Sequence, residues 1–558
     1  MKVRLEELLS QLGNPGKYQI VIFLLLCLNY CPLVFNHVIM AFYGATPKHQ
    51  CHSNEFWTGS GLKSVEDFSM IKPVYNSSAG EELLGAFGSC SSSYMVPGFA
   101  NITVSCPKSP ESVVVYMKGP ASQSIVTEWD LVCSDTYLSS LATTIYFCGV
   151  MLGGLVFGHL ADKFGRKPVM LFTLFFPILV GIATAFVPWY AGFVTLRFIQ
   201  GVLMQGLQTS TYTLAMELFL PRHRSYAGAI LECFWGLSVM VIPLLAYLLP
   251  NWRHLQLVIT LPSILAVMYI CIIPESLRWL ILTKHIERAE ALVAKVTKFN
   301  KLEFPENYWN DVKMQLEAAD GDNKQYSAID LMRTPRLRHR SLVLFYLWFA
   351  ISIGYYGLTW QLTSLPGNKF LNFFIAGAVE FVAYTLVIFI TGRFGRKRPL
   401  MVYFMLASVF MIGAGVIPLT VQGSQVAMVS SGLAIAGKFA MGGLFSVIFL
   451  YTSELYPTII RNIGMGSCAF WTRVGGVLAP QMIVLGQVGT GMKSLPLVLF
   501  GLVTLLGGFL TLLLPETLGC KLPDNIDDIE GSTLSHDTVV SAEEMKQINV
   551  DQEKPESV

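Results

Sequence analysis

The chain has 558 residues, 53% hydrophobic and only 14% charged, where an ordinary soluble domain carries about a quarter charged residues. With a mean hydropathy of +0.52 it has lipid for a solvent, which excludes a plain water-soluble domain. Its net charge of +2 supplies no field for nucleic acid, so the position of the charges matters more than their sum.

Residues 1–17 read as a short amphipathic cytosolic N-terminus, followed by an apolar stretch over 18–42. That stretch is too long for a signal peptide and lacks a small-residue cleavage site, so it is expected to stay in the mature protein. The connection 44–136 holds Cys51, Cys90, Cys106 and Cys133, with glycosylation sequons at Asn76 (NSS) and Asn101 (NIT). Cysteines and sugar sites confined to one loop predict a small extracellular domain with two disulfides, for which three pairings are possible. Apolar stretches at 138–160, 168–187, 190–214, 226–248 and 254–273 complete a first set. The segment 274–340 is rich in Lys and Arg and contains a helical pattern from His285 to Lys298. A second set follows at 341–362, 371–391, 399–418, 426–450, 464–486 and 494–514. The polar tail 515–558 ends in Glu556-Ser557-Val558, which matches a PDZ-type tail ligand.

Each stretch is long enough to cross a bilayer as a helix, which predicts twelve spans. The short loops carrying Lys163, Arg166 and Lys167, Arg222 and Arg224, and Arg393, Arg396, Lys397 and Arg398 alternate with loops nearly free of charge. The positive-inside rule puts the basic loops, and both termini, in the cytosol.

The second set repeats the first. GHLADKFGRK (158–167) returns as TGRFGRKR (391–398), and the spacing of Glu217 to Arg224 returns in Glu454 to Arg461. Pro274-Glu275-Ser276 and Pro515-Glu516-Thr517 close the two blocks. A near-constant offset means a duplicated half, the construction of transporters whose two bundles rock against each other. Asp162 and Arg166, Glu217 and Arg224, Arg396, and Glu454 and Arg461 are predicted to form latches at the cytosolic helix ends, biasing which face is open.

GHLADKFGRK resembles the signature loop of the major facilitator superfamily. Within it, ATPKHQC (45–51), VTEWDLVC (126–133), PESLRWL (274–280) and YTSELYPTIIRN (451–462) resemble the organic cation, anion and zwitterion transporter family. The resemblance covers about 18–520 and implies an all-α fold of twelve transmembrane helices in two pseudo-symmetric bundles, 18–273 and 341–514. Sugar porters share the PES and PET motifs but lack such a first loop.

Ionisable residues inside spans cost about 2.5–3.5 kcal/mol on insertion scales, so they pair or line a wet cavity. Five stand out: Arg197, Glu232, Glu380, Lys438 and Arg473. Arg197 matches the superfamily's arginine in the fourth span and braces helices or lines the cavity; Lys438 holds a comparable place in the second half. By resemblance, Glu380 falls where cation and carnitine-type members carry a cavity glutamate. Arg473 falls where anion and carnitine-type members carry arginine and strict cation transporters carry aspartate. Strict anion transporters commonly have a base where Tyr384 stands. An acid and a base together suit a zwitterion, although Glu380 and Arg473 could simply pair with each other. Trp348, Ser352 and Tyr355 share one helix face; the resemblance places Trp348 and Tyr355 at the cavity, where rings hold ammonium groups. Gln205, Gln208, Thr209 and Tyr212 form a polar face on the fourth span. Cation-transporting relatives have lysine and tryptophan in place of Gln205 and Gln208, which counts against a carried-over cation specificity. Glu232 has no counterpart in the resemblance; with Trp235 it faces the cavity or pairs with Arg197, and in the cavity it is the residue to couple transport to Na⁺ or H⁺. His37, alone in the first span, reads as packing.

No metal-ligand cluster, nucleophile–base pair or cofactor motif fits its context, so no catalytic role is expected. The expected function is secondary active or facilitative transport of carnitine-like or betaine-like zwitterions across the plasma membrane. Its competitors are an organic anion exchanger and a transporter-fold receptor or scaffold that carries nothing.

Overall fold

The computed structural model describes residues 8–13, 15–47, 49–53, 91–94, 102–105, 112–116, 123–302, 309, 327–362, 365, 367–421, 425–457, 459–486, 494–519, 523 and 526–531. Both sequons, the side chains of Cys51, Cys90 and Cys106, and the last residues of the tail lie outside them. Cys133 is disulfide-bonded.

The chain is a helical bundle. In the first half run α1 (Lys17–Tyr43), α2 (Thr136–Phe164), α3 (Arg166–Phe186), α4 (Tyr190–Glu217), α5 (Pro221–Leu248) and α6 (Trp252–Ile272). The second half holds α7 (Pro335–Gln361), α8 (Lys369–Phe394), α9 (Lys397–Thr420), α10 (Val426–Leu455), α11 (Arg461–Leu485) and α12 (Leu495–Thr511). Ten of these segments are long and apolar enough to cross a membrane. The other two expected spans fall on α4, which buries Arg197, and on α12, a shorter apolar helix. The span expected at 254–273 is not one regular helix: it tightens to a 3-10 stretch over Leu261–Met268, beginning where Pro262 enters. Pro262 has no N–H to donate, so the regular ladder is interrupted there.

Large apolar side chains such as Leu179, Leu265, Phe389, Val409 and Met428 stand exposed on the outer helix faces. In water such a surface would aggregate; around a bundle of this length it is the lipid-facing coat. In the first connection, β1 (His49–Ser53) pairs antiparallel with β4 (Ser112–Tyr116), and β2 (Ser91–Tyr94) pairs antiparallel with β3 (Ile102–Ser105). Next to them Glu128 clamps the start of α6: it accepts from Trp252 Nε1 at 2.6 Å and pairs with Arg253.

The halves meet tightly at the end that bears this connection. Phe42 stacks on Phe370, and Phe147 packs on Tyr356 with ring centroids 4.7 Å apart. Thr144 donates to the carbonyl of Val477 and accepts from Gln481. Gly377 lets α8 approach α5 so closely that a Cβ there would sit 2.9 Å from Met240 N. Tyr212 of the first half also meets Phe449 of the second, with ring centroids 6.1 Å apart.

The basic loops are built twice to one plan. Gly165 (φ +104°) and Gly395 (φ +85°) turn the chain from α2 into α3 and from α8 into α9. In the first turn Glu275 accepts from the backbone N–H of Arg166 (3.0 Å) and Lys167 (3.1 Å). In the second, Glu516 accepts from those of Arg396 (2.8 Å) and Lys397 (3.2 Å). A carboxylate thus caps the free N–H groups of each new helix. The lysines reach back to carbonyls, Lys167 to Ile270 and Lys397 to Leu512. Burial pushes the Glu275 carboxyl above the ordinary range despite these bonds. Glu516 is half-buried, yet its four backbone donors outweigh that and hold it below the range.

The latches differ from expectation in partner and reach. Glu217 has its ion pair with Arg166 (3.4 Å), which also holds Asp162 (2.9 Å), while Arg224 donates to the carbonyls of Met216 and Phe219. Glu454 pairs with Arg396 (2.9 Å) and accepts from Thr517, while Arg461 donates to the Tyr456 carbonyl. The C-terminal cluster has no acid matching Asp162, since Gly392 stands at that place. These ion pairs join helices of the same half, so they stiffen each half and need not break when the halves rock. A side chain at either turn glycine would both adopt a backbone region reserved for glycine and strike the capping carboxylate, which for Gly395 lies 2.6 Å from a built Cβ. Gly395→Ala is expected to cost about 1–3 kcal/mol, read as a lowered melting temperature of purified protein; an unchanged melting temperature would contradict the capping role.

Candidate functional site

The five ionisable side chains of the spans sort into three groups. The first is a closed ion pair. Glu380 of α8 and Lys438 of α10 are both fully buried, with Oε1 and Nζ 2.6 Å apart. Tyr355 of α7 donates to Glu380 Oε2 at 3.1 Å, Lys438 Nζ stands 3.1 Å from the centre of the Tyr355 ring, and Lys438 also donates to Thr359. A buried charge persists only when paired and hydrogen-bonded, and here both are satisfied from within the second half. The mutual Glu380–Arg473 bridge considered from sequence is therefore not formed: Lys438, one helix over, takes the acid.

The second group is a brace inside the first half. Arg197 is fully buried and donates to Gln200 (2.9 Å) and to the Asn36 carbonyl of α1 (3.0 Å), with its guanidinium 4.2 Å from the centre of the Tyr146 ring. Tyr146 in turn is 3.1 Å from His37 Nδ1. Arg197 is thus a helix brace, and it does not pair with Glu232.

The third group lines the space between the halves. Arg473 of α11 is partly exposed and donates to Gln208 of α4 at 3.0 Å, a contact that spans the two halves. Tyr356 lies close enough to Arg473 to feel its charge. Glu232 of α5 is also partly exposed. It lies in the electric field of Glu380 and among Tyr30, Tyr212 and Tyr356. One turn on, Trp235 donates from Nε1 to Tyr355 at 2.8 Å, a further bond between halves and one that ties the first half to the closed ion pair.

Other sequence candidates separate. Gln208 and Tyr212 do face the second half. Gln205 turns within its own half, donating to Thr209 (3.0 Å) beside Gly154 of α2. Trp348 is 1% exposed, with Nε1 bonded to Thr452 (3.0 Å) and its ring edge-on to Phe449 at 4.5 Å, so it packs α7 on α10. Tyr30, Tyr356 and Trp235's bond to Tyr355 were not legible as site features, because aromatic residues stand on several faces of these helices and only the tertiary fold picks out one. Among the described residues no group of His, Cys, Asp and Glu could hold a metal ion.

Two six-helix bundles that enclose buried charge and meet across a polar cleft define a membrane transporter of the major facilitator fold. The family model "Sugar (and other) transporter" matches residues 75–525. The chain is 33% identical to the organic cation transporter protein of Drosophila melanogaster over 94% of each chain. It is 32% identical to solute carrier family 22 member 6-B of Xenopus laevis, over 94% of each, and 31% identical to human organic anion transporter 3, over 95% of this chain and 94% of that one. It also shares its fold with the xylose transporter XylE of E. coli in a partially occluded inward open conformation, at 19% identity and a TM-score of 0.56 over 72% of this chain and 93% of that one. The chain belongs to the sugar (and other) transporter family, together with its solute carrier family 22 relatives. It is a multi-pass membrane transporter and not an enzyme.

Proposed function

We propose that this protein carries small organic zwitterions of the carnitine or betaine type across the plasma membrane by alternating access. The observation that carries the reading is the balance of charge between the halves: two acids, Glu232 and Glu380, against two bases, Lys438 and Arg473, with tyrosine rings among them. A pure cation or a pure anion would leave a net charge in a low-dielectric site, whereas a substrate bearing both signs would not. Relatives named for organic cations and for organic anions match this chain about equally well, which suits a cargo sharing features of both. In this reading the chain crosses the membrane twelve times with both termini in the cytosol, residues 44–136 form a glycosylated extracellular domain, and Na⁺ or H⁺ is the coupling ion.

The test is uptake by cells expressing the chain, using a quaternary cation, a carboxylate anion and a betaine of similar size, each with and without Na⁺. Saturable uptake that favours the betaine is the expected result. Preference for the anion would replace the reading with organic anion exchange; binding without uptake of any probe would replace it with a receptor.

A further inference from the structure

Glu232 has no ion pair or hydrogen bond with any described residue, although it lies at the centre of a folded bundle. We infer that Glu232, rather than Glu380, receives the ammonium end of the substrate, and that it forms with Arg473 a receptor split between the two halves. The inference deepens the zwitterion reading and rests on it.

Three observations carry it. First, Glu380 is already neutralised: Lys438 pairs with its Oε1 and Tyr355 donates to its Oε2, and Glu380 and Lys438 both sit at zero exposure. Handing this carboxylate to a substrate would strand the lysine charge in a dry site, a cost of several kcal/mol. Glu232 requires no such exchange, because it has no ion pair to give up and is only half-buried. Second, Glu232 and Arg473 act on the same two rings. Tyr30 of α1 and Tyr356 of α7 each lie in the field of both the acid and the base, yet Glu232 and Arg473 form no ion pair with each other. An acid and a base that share tyrosine neighbours without pairing suit a ligand with one charge at each end, and the rings offer faces for an alkylated ammonium. Third, the acid belongs to α5 in the first half and the base to α11 in the second. A zwitterion held at both ends would join the halves, adding to the Trp235–Tyr355 and Arg473–Gln208 bonds that already cross between them. Binding energy would then favour the approach of the halves, which a ligand held by one half alone could not do.

The experiment compares Glu232→Gln, Glu380→Gln and the conservative Glu232→Asp in the full-length chain, with uptake of a trimethylammonium betaine and of a carboxylate anion of similar size measured in the same cells and corrected for surface protein. The readout is the ratio of betaine to anion uptake, which a general folding defect does not move. Glu232→Gln is expected to lower that ratio at least about tenfold, in line with one charge-assisted contact, and Glu232→Asp to recover part of it. An unchanged ratio in Glu232→Gln, alongside a fallen ratio in Glu380→Gln, overturns the assignment and returns the ammonium to Glu380. Loss of dependence on external pH in Glu232→Gln at a constant ratio also overturns it, making Glu232 a proton carrier. If the wild-type chain itself prefers the anion, the underlying zwitterion reading has failed, a result separable from either of the others.

Discussion

Lys438→Met is expected to destabilise the protein by about 3–5 kcal/mol, the range for removing one partner of a buried ion pair. The loss exceeds what any single neutral contact in the bundle would give, because the substitution abandons Glu380 as a charge with no route to water. Both side chains are fully buried, and only Tyr355 would remain to stabilise the carboxylate. The double variant Lys438→Met with Glu380→Gln should recover much of the loss, since the penalty is the orphaned charge and not the missing attraction. Melting temperatures of the purified wild-type, single-variant and double-variant proteins in detergent check this. Equal melting of the single variant and the wild type would mean that the pair is hydrated. Equal loss in single and double variants would mean that packing, not charge, is at stake.

Arg473→Ala is the second large effect, and it falls on substrate choice. The guanidinium is the base that faces the space between the halves, fixed by its bond to Gln208 and lying near Tyr356. Hydrogen bonds to charged groups contribute about 1.5–3 kcal/mol, so carboxylate-bearing probes should lose roughly 10-fold to 100-fold in uptake at low concentration. A pure quaternary cation should be spared or improved, since a repelling charge is gone. Carnitine-like uptake that is unchanged in this variant would sink the pairing of substrate carboxylate with Arg473. Gln208→Ala supplies a milder control, because it frees the guanidinium without removing its charge.

How far the sequence could be read depended on the kind of signal. The duplicated GRK turns, the PES and PET motifs and the apolar stretches are local in the chain, and each carries its own physics: glycine for a backbone region closed to other residues, a carboxylate for the free N–H groups of a helix start, length for a bilayer. That Glu275 and Glu516 cap the helices after Gly165 and Gly395 was half visible in the repetition of both motifs, but their meeting was not. The tertiary fold joins them across more than a hundred residues of chain.

Partner choice lay beyond the sequence for the same reason. Glu217 and Arg224 keep a spacing that invites pairing, yet a guanidinium can bond carbonyls equally well, and the approach of α2 to α4 brings Arg166 to the acid first. In the centre, composition and helix periodicity picked out Arg197, Glu232, Glu380, Lys438 and Arg473 as charges that lipid would not tolerate, and the fold buries Arg197, Glu380 and Lys438 fully and half-buries the other two. Which acid keeps a resident cation was settled by the packing of α8 on α10, because ion pairing falls off within a few ångströms in a way that no one-dimensional spacing encodes. The class of molecule, its two halves and the inventory of its charges follow from composition, apolar stretches and repeated motifs, which are local in the chain. The tertiary structure alone decided that Lys438 neutralises Glu380 and that Glu232 and Arg473 stay unpaired with each other, since those outcomes depend on distances between helices that the chain brings together only when folded.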